Sequence, residues 1–255
     1  MAQSSKFLSP AYVLHHRSFS DSSLLIDFFT LQSGRVTCVA KGVKGGKSNK
    51  SAILQPFIPL MMNFSGRGEV KTLNQCEAAD KPFQLMGNRL FTAFYVNELL
   101  LKSLPKNEVF ETVFSHYSTL IAHISDPESH FEATLRLFEK HLLEMLGYGL
   151  LLQCDADNGS VIEFSKKYRY IFDKGPVEAS VEAPVEASFE ALGLQTNLDR
   201  LPLISGETLL AIASNSLENQ SQLRESKLLM RYLINELLGG YIFKSREFFS
   251  LKESK

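Results

Sequence analysis

The run Leu24-Leu25-Ile26-Asp27-Phe28-Phe29-Thr30, the turn signal Ser33-Gly34 and the alternating Arg35-Val36-Thr37-Cys38-Val39-Ala40 decide the fold. Aromatic and β-branched residues suit a pleated, half-buried backbone. In the second segment Val36, Cys38 and Ala40 fall on one side and Thr37 and Val39 on the other, which is the period of a strand. Upstream, residues 11–15 are short and apolar and read as a further strand. Downstream, residues 53–64 are rich in β formers, and Pro56 and Pro59 confine them to an edge or bulged strand. Ser65-Gly66-Arg67-Gly68 is a turn, and residues 69–76 form the return strand. Five short strands in about 75 residues predict a small closed barrel, with the OB-fold as the leading candidate.

The pattern changes after Lys81-Pro82. Leu90, Phe91, Phe94, Tyr95, Leu99 and Leu101 approach helical spacing over residues 83–104, and Pro105 ends that helix. A second helix is predicted over 108–124. Asp126-Pro127 supplies a cap and a proline for a third, which carries Leu135, Phe138, Leu142 and Met145 on one stripe and stops at Gly147. Short strands are expected near 150–154 and 168–172. Two helices, 205–214 and 222–238, close the chain, the last ended by Gly239-Gly240. The fold class is therefore α+β, an N-terminal OB-type barrel followed by helices with a small irregular or β insertion. The expected segments are 1–80 (barrel), 81–147 (helical), 148–204 (irregular) and 205–255 (closing helices that pack on the helical part).

Within the irregular segment, residues 176–183 read PVEASVEA and 184–191 read PVEASFEA, a tandem repeat differing at one position. Two copies are too few for a solenoid. The stretch contains four Glu and no basic residue, and is either a duplicated surface loop or an acidic interaction segment.

The whole chain carries a formal net charge of −1, which by itself argues against a polyanion partner. The distribution argues otherwise. Up to residue 75 there are nine basic residues against three acidic ones, a net of +6, so the remainder carries −7. Lys41, Lys44, Lys47 and Lys50 cluster in a stretch with Gly42, Gly45 and Gly46, and Arg67 sits between two glycines in the predicted neighbouring turn. Ammonium groups at such spacing neutralise successive phosphates and release their counterions. With Arg35 and Lys71 they form the expected DNA-binding set, against the alternative of a solvated lysine-rich loop. Phe57 and Phe64 are either base-stacking groups or barrel core.

Enzymatic readings find little support. Gly46-Lys47-Ser48 ends like a phosphate-binding loop, but position 41 is Lys where the motif needs Gly, and residues 53–56 read as extended rather than as the required helix. The six histidines form no H-x-x-x-H or H-E-x-x-H pair, and no G-x-S-x-G occurs. Cys38, Cys76 and Cys154 stand far apart, so neither a disulfide framework nor a closed zinc site is expected, and no cofactor is implied. The N-terminus lacks a signal-peptide core, and no apolar run is long enough to span a bilayer. A cytoplasmic protein without membrane contact is the expectation.

Several ordered segments resemble the RecO family of bacterial recombination mediators. They are Ala11-Tyr12-Val13-Leu14-His15, Gly34-Arg35-Val36, Val39-Ala40-Lys41-Gly42, Leu54-Gln55-Pro56-Phe57 and Gly66-Arg67-Gly68-Glu69-Val70-Lys71-Thr72-Leu73. Tyr95-Val96-Asn97-Glu98-Leu99-Leu100, Leu135-Arg136 with Phe138-Glu139, Leu146-Gly147-Tyr148-Gly149, Leu238-Gly239-Gly240 and Lys244-Ser245-Arg246-Glu247 continue the likeness in order.

The resemblance implies DNA repair and homologous recombination after DNA damage, without enzymatic turnover. It implies binding of single- and double-stranded DNA, strand annealing, and an SSB interaction through the acidic C-terminal tail of single-stranded DNA-binding protein (SSB). It also implies work with RecR to load RecA, in the cytoplasm and at the nucleoid when DNA-bound. For the SSB tail it favours Arg136, with Leu135 and Phe138 as apolar neighbours; the alternative is a solvated helix arginine paired weakly with Glu139 or Glu132. Many family members carry a four-cysteine zinc module after the Gly-Tyr-Gly segment, whereas this chain has only Cys154 there, followed by Asp155-Ala156-Asp157-Asn158-Gly159, so no metal is expected. A protein-only scaffold with a basic barrel is the alternative function.

Overall fold

A computed structural model describes residues 7–43, 50–179 and 201–246. Five strands, β1 (Ser9–Ser18), β2 (Leu24–Thr30), β3 (Gly34–Ala40), β4 (Leu60–Ser65) and β5 (Val70–Ala78), close a barrel in the order β1-β2-β3-β5-β4. All neighbours are antiparallel except β3 and β5, which run parallel with Thr37 opposite Val70 and Val39 opposite Thr72. Strand alternation decides what fills the interior: Val36, Cys38 and Ala40 from β3, the side grouped in the sequence, are buried there with Ile26 and Phe28 from β2 and Met62 and Phe64 from β4. Burying apolar surface at about 25 cal/mol per Å² drives this closure. A register shift at Val13/His15 bends β1.

One strand expectation is corrected. Residues 53–59 are not a strand, because Lys50–Ile53 form a single helical turn, α1, and only Leu60–Ser65 pair. Pro56 makes one isolated bridge to Val13, and Phe57 adopts a positive φ of 65°, burying its ring edge-on against Phe94 at 5.2 Å. Prolines have no N–H to give a ladder, which stops the strand where Pro59 ends.

The chain divides into two compact units. The first holds the barrel, α2 (Gly87–Ser103), α3 (Glu111–Ser125) and the later residues 242–246; the second is residues 130–241. The units therefore do not follow the composition change at residues 80–81.

In the first unit the outer side of β1 and β2 packs on the helices. Tyr12 and Phe29 lie 5.6 and 5.3 Å from the Phe114 ring. Asn97 of α2 donates to the carbonyls of Val13 and Leu14 at 3.4 and 3.1 Å and accepts from Tyr117 at 2.7 Å. Asp126-Pro127 does not open the next helix: Asp126 ends α3 and its carboxylate accepts from the Glu128 amide at 3.0 Å. Arg89 ties the same turn down by donating to the carbonyls of Ile124 and Pro127.

The second unit contains α4 (Phe131–Met145), a three-stranded antiparallel sheet in the order β7-β6-β8, and the helices α5 (Gly206–Ala213) and α6 (Gln220–Leu237). The strands are β6 (Lys167–Ile171), β7 (Gly175–Glu178) and β8 (Leu203–Ser205). Gly147, with φ of 91°, stops α4 as its position required. Met145, placed on the apolar stripe by spacing, is exposed. Residues 150–154 form no strand; Cys154 makes a single bridge to Val161. Asn219 and Gln222 form a reciprocal capping box at the start of α6.

Candidate nucleic-acid interface

Among the candidate DNA-binding residues that the structure describes, Arg35 and Lys41 stand at opposite ends of one strand. Arg35 opens β3 and Lys41 follows its end, so their backbones lie roughly 20 Å apart at 3.3 Å per residue. Arg35 is half-buried and its Nε donates to the Leu104 carbonyl at 3.0 Å. Desolvation holds its guanidinium below the ordinary range, with Asp27 acting in the opposite direction. Its backbone carbonyl also accepts from the Asn107 amide at 2.9 Å. Arg35 therefore fastens the barrel to the segment after α2. The adjacent Gly34 has φ of 64°, and a Cβ there would lie 1.6 Å from the Glu108 carbonyl oxygen, so that approach requires glycine.

At this end of the barrel the structure adds a cation that the sequence reading missed. Lys106 bridges in parallel to Arg35 through the backbone and places its ammonium 3.8 Å from Glu69. The exposed Arg67 lies in the same β4–β5 turn as Glu69. Lys71, half-buried, sits opposite Cys38. Burial pushes the Cys38 thiol up to about 12, so it is unreactive at neutral pH.

Between the two ends lies a carboxylate. Asp27 accepts from the Thr37 hydroxyl at 2.6 Å, and His15 Nδ1 lies 4.0 Å from it. This negative charge on the outer side of β1–β3 separates the Arg35 end from the Lys41 end. At the latter, Lys41 is exposed and Val43 donates its amide to the Ser22 carbonyl at 2.8 Å. Lys44 and Lys47 lie outside the described residues, as does Gly46-Lys47-Ser48. Lys50 begins α1, which packs on β5. Phe57 and Phe64 are both buried, so each serves as core rather than as a stacking platform.

The three residues favoured for the SSB tail all belong to α4, and all are buried. Leu135 and Phe138 are packed in the unit's interior. The Arg136 side chain is 9% exposed and its Nη1 lies 2.7 Å from Oε2 of Glu139, itself 1% exposed. Arg136 is thus neither solvated nor paired weakly at the surface. Two cations on α6 share its field. Lys227 is held below the usual lysine range, first by desolvation and then by repulsion from Arg231 and Arg136. Both α6 cations are exposed, and their i,i+4 spacing was the sequence signal available.

Among the described residues no group of three His, Cys, Asp or Glu gathers as for a metal ion. Asp155 instead serves as an internal clamp: its buried carboxylate accepts from the amides of Asp157, Asn158 and Glu178 at 2.8, 3.2 and 2.7 Å. No helix among the described residues is long and apolar enough to cross a membrane.

Comparison with known proteins covers nearly the whole chain. A family model described as "Recombination protein O N terminal" matches residues 2–82, and "Recombination protein O C terminal" matches residues 85–247. The chain is 38% identical over 242 residues to the DNA repair protein RecO of Methylococcus capsulatus, covering 95% of this chain and 92% of that protein. It is 39% identical over 239 residues to DNA repair protein RecO of Nitrosococcus oceani, covering 94% and 91%. With the Coxiella burnetii (strain RSA 331) protein of the same name it shares 36% identity over 240 residues, covering 94% and 96%.

Proposed function

The chain belongs to the recombination protein O (RecO) family, and from that premise we propose that it is a DNA repair and recombination mediator that acts by binding rather than turnover. It binds single- and double-stranded DNA, anneals complementary strands and, with RecR, helps load RecA onto SSB-coated single strands. It works in the cytoplasm, at the nucleoid when DNA-bound.

The observation that carries this reading is a closed five-stranded barrel with exposed Lys41 at one end, opening the lysine-rich stretch that runs to Lys50. Arg67, with Lys106 and Arg35 near it, marks the other end. A DNA strand along β3 would meet cations at both ends and cross Asp27 between them. Roughly 20 Å corresponds to about six phosphates of one B-form strand. Neutralising phosphates on two strands lowers their repulsion and lets bases find their complements.

The Lys41/Lys44/Lys47/Lys50→Ala variant tests the site. If all four contact phosphates, the slope of log affinity against log salt for single-stranded DNA should fall by about 3, near 0.7 per lost contact. Titration of labelled oligonucleotide at several salt concentrations measures it. An unchanged slope removes the segment from the interface. Failure of the wild-type chain to be retained on immobilised single-stranded DNA would favour the protein-only scaffold instead.

For the SSB tail, Arg136 with Leu135 and Phe138 remains the proposed centre, and exposed Lys227 and Arg231 supply the approach for an acidic peptide. Arg136, whose Nη1 is held by Glu139 at 2.7 Å, would act on the terminal carboxylate through its charge rather than through a free guanidinium fork.

A further inference from the structure

The tip of the β1–β2 hairpin, residues 19–23, carries an exposed aromatic ring at the lysine end of the barrel. Phe19 is 58% exposed, whereas Tyr12, Phe28, Phe29, Phe57 and Phe64 of the barrel strands and loops are buried. Phe7 is exposed as well, but it precedes the opposite end of β1. A single apolar residue on a surface is common and by itself means little. Support and place set Phe19 apart.

The support is backbone. The Phe19 amide donates to the Ser23 carbonyl at 3.1 Å and closes the tip. The Val43 amide donates to the Ser22 carbonyl at 2.8 Å and fastens the tip to the segment after β3. Ser23 is buried at its base. The ring therefore stands on a backbone ordered before any ligand arrives, which lowers the entropy cost of using it.

The place follows from the register. Ser18, Leu24 and Ala40 lie in one row across β1, β2 and β3. Phe19 continues β1 past that row and Lys41 continues β3 past it, so two strand spacings put their backbones about 10 Å apart. That is the length of about three phosphates of one strand. Arg17, opposite Leu25, is exposed one row back. Two exposed cations thus accompany the ring. The tip's own charge is that of exposed Asp21, so the tip repels phosphates and offers DNA its ring.

We propose that Phe19 is a base-stacking residue, which takes an unpaired nucleobase of single-stranded DNA on its face while Lys41 and Arg17 hold neighbouring phosphates. This rests on the reading of the barrel as a DNA-binding module. Every base has a π-face, so the contact tolerates any sequence. Bases stacked inside a duplex do not offer that face. The ring gives the barrel a preference for single strands that lysines alone, which meet the phosphates of either form, do not supply.

The chain contains no tryptophan, so Phe19→Trp places the sole indole at the tip. Its emission should be quenched by a single-stranded oligonucleotide and unchanged by a phosphodiester strand of the same length whose sugars carry no bases. Phe19→Ala should weaken oligonucleotide binding by about tenfold, with the salt slope and the urea midpoint unchanged. It should bind the base-free strand as the wild-type chain does, and change duplex affinity by less than about twofold. Wild-type affinity for the oligonucleotide in Phe19→Ala, or equal quenching by the base-free strand, overturns the stacking role and leaves the DNA-binding reading of the barrel standing. Absence of binding by the wild-type chain to either strand removes that reading and the stacking role together.

Discussion

Replacing Asn97 by leucine should destabilise the chain by roughly 3–5 kcal/mol, seen as a lowered urea midpoint. The substitution keeps the side chain's bulk and removes its donor and acceptor together. The carbonyls of Val13 and Leu14 lose the amide that reaches them, and the Tyr117 hydroxyl loses its acceptor, all in a buried setting. Each orphaned group costs about 1–3 kcal/mol. These carbonyls lie at the β1 register shift, so the loss falls on the seam between the barrel and α2. Tyr117→Phe should cost less, about 1 kcal/mol, because it leaves Asn97 its two carbonyl acceptors. The double variant should then cost less than the sum, since Tyr117 no longer carries a hydroxyl to strand. Strict additivity would mean that the two side chains act independently.

The second large effect concerns Arg136. Arg136→Met should cost about 3–5 kcal/mol, because it leaves the Glu139 carboxylate buried without its 2.7 Å partner. Arg136→Met combined with Glu139→Leu should recover most of that loss, since an apolar pair of similar volume removes both charges. A thermal or urea unfolding series measures both. The same reasoning bears on tail recognition. Loss of SSB-tail binding in Arg136→Ala would report damage to α4 as readily as a lost contact. Lys227→Ala with Arg231→Ala is the cleaner probe, because both residues are exposed. Weakened binding of the acidic tail peptide with an unchanged unfolding midpoint supports the α6 approach. Unchanged peptide affinity removes it.

Much of this architecture could be read from residue order. Strand alternation in residues 35–40 grouped Val36, Cys38 and Ala40, the side that fills the barrel, and Pro105, Gly147 and Gly239-Gly240 identified helix ends. The charge division at residue 75 picked out the barrel as basic. What could not be read depends on contacts between distant residues. Lys106 follows Pro105 in a stretch without pattern, and only the backbone bridge to Arg35 brings it to the barrel. Asp27 was one charge among many in the sum, yet it lies beside Thr37 on the outer side of the barrel, between Arg35 and Lys41. Arg136 and Glu139 have the i,i+3 spacing of an ordinary surface pair, and their burial comes from packing within the second unit. Residues 53–59 misled because β-forming composition outweighed two prolines that cannot complete a ladder.

The central claim is that a cationic barrel lets this chain bring complementary strands together, including strands covered by SSB. Its most direct measurement is the annealing rate of complementary oligonucleotides, bare and precoated with SSB. The account predicts that the chain accelerates both reactions above the spontaneous rate. It also predicts that the Lys41/Lys44/Lys47/Lys50→Ala variant loses most of the acceleration, and that Lys227/Arg231→Ala loses it only on coated strands. Annealing that stays at the spontaneous rate with the wild-type chain present would contradict it.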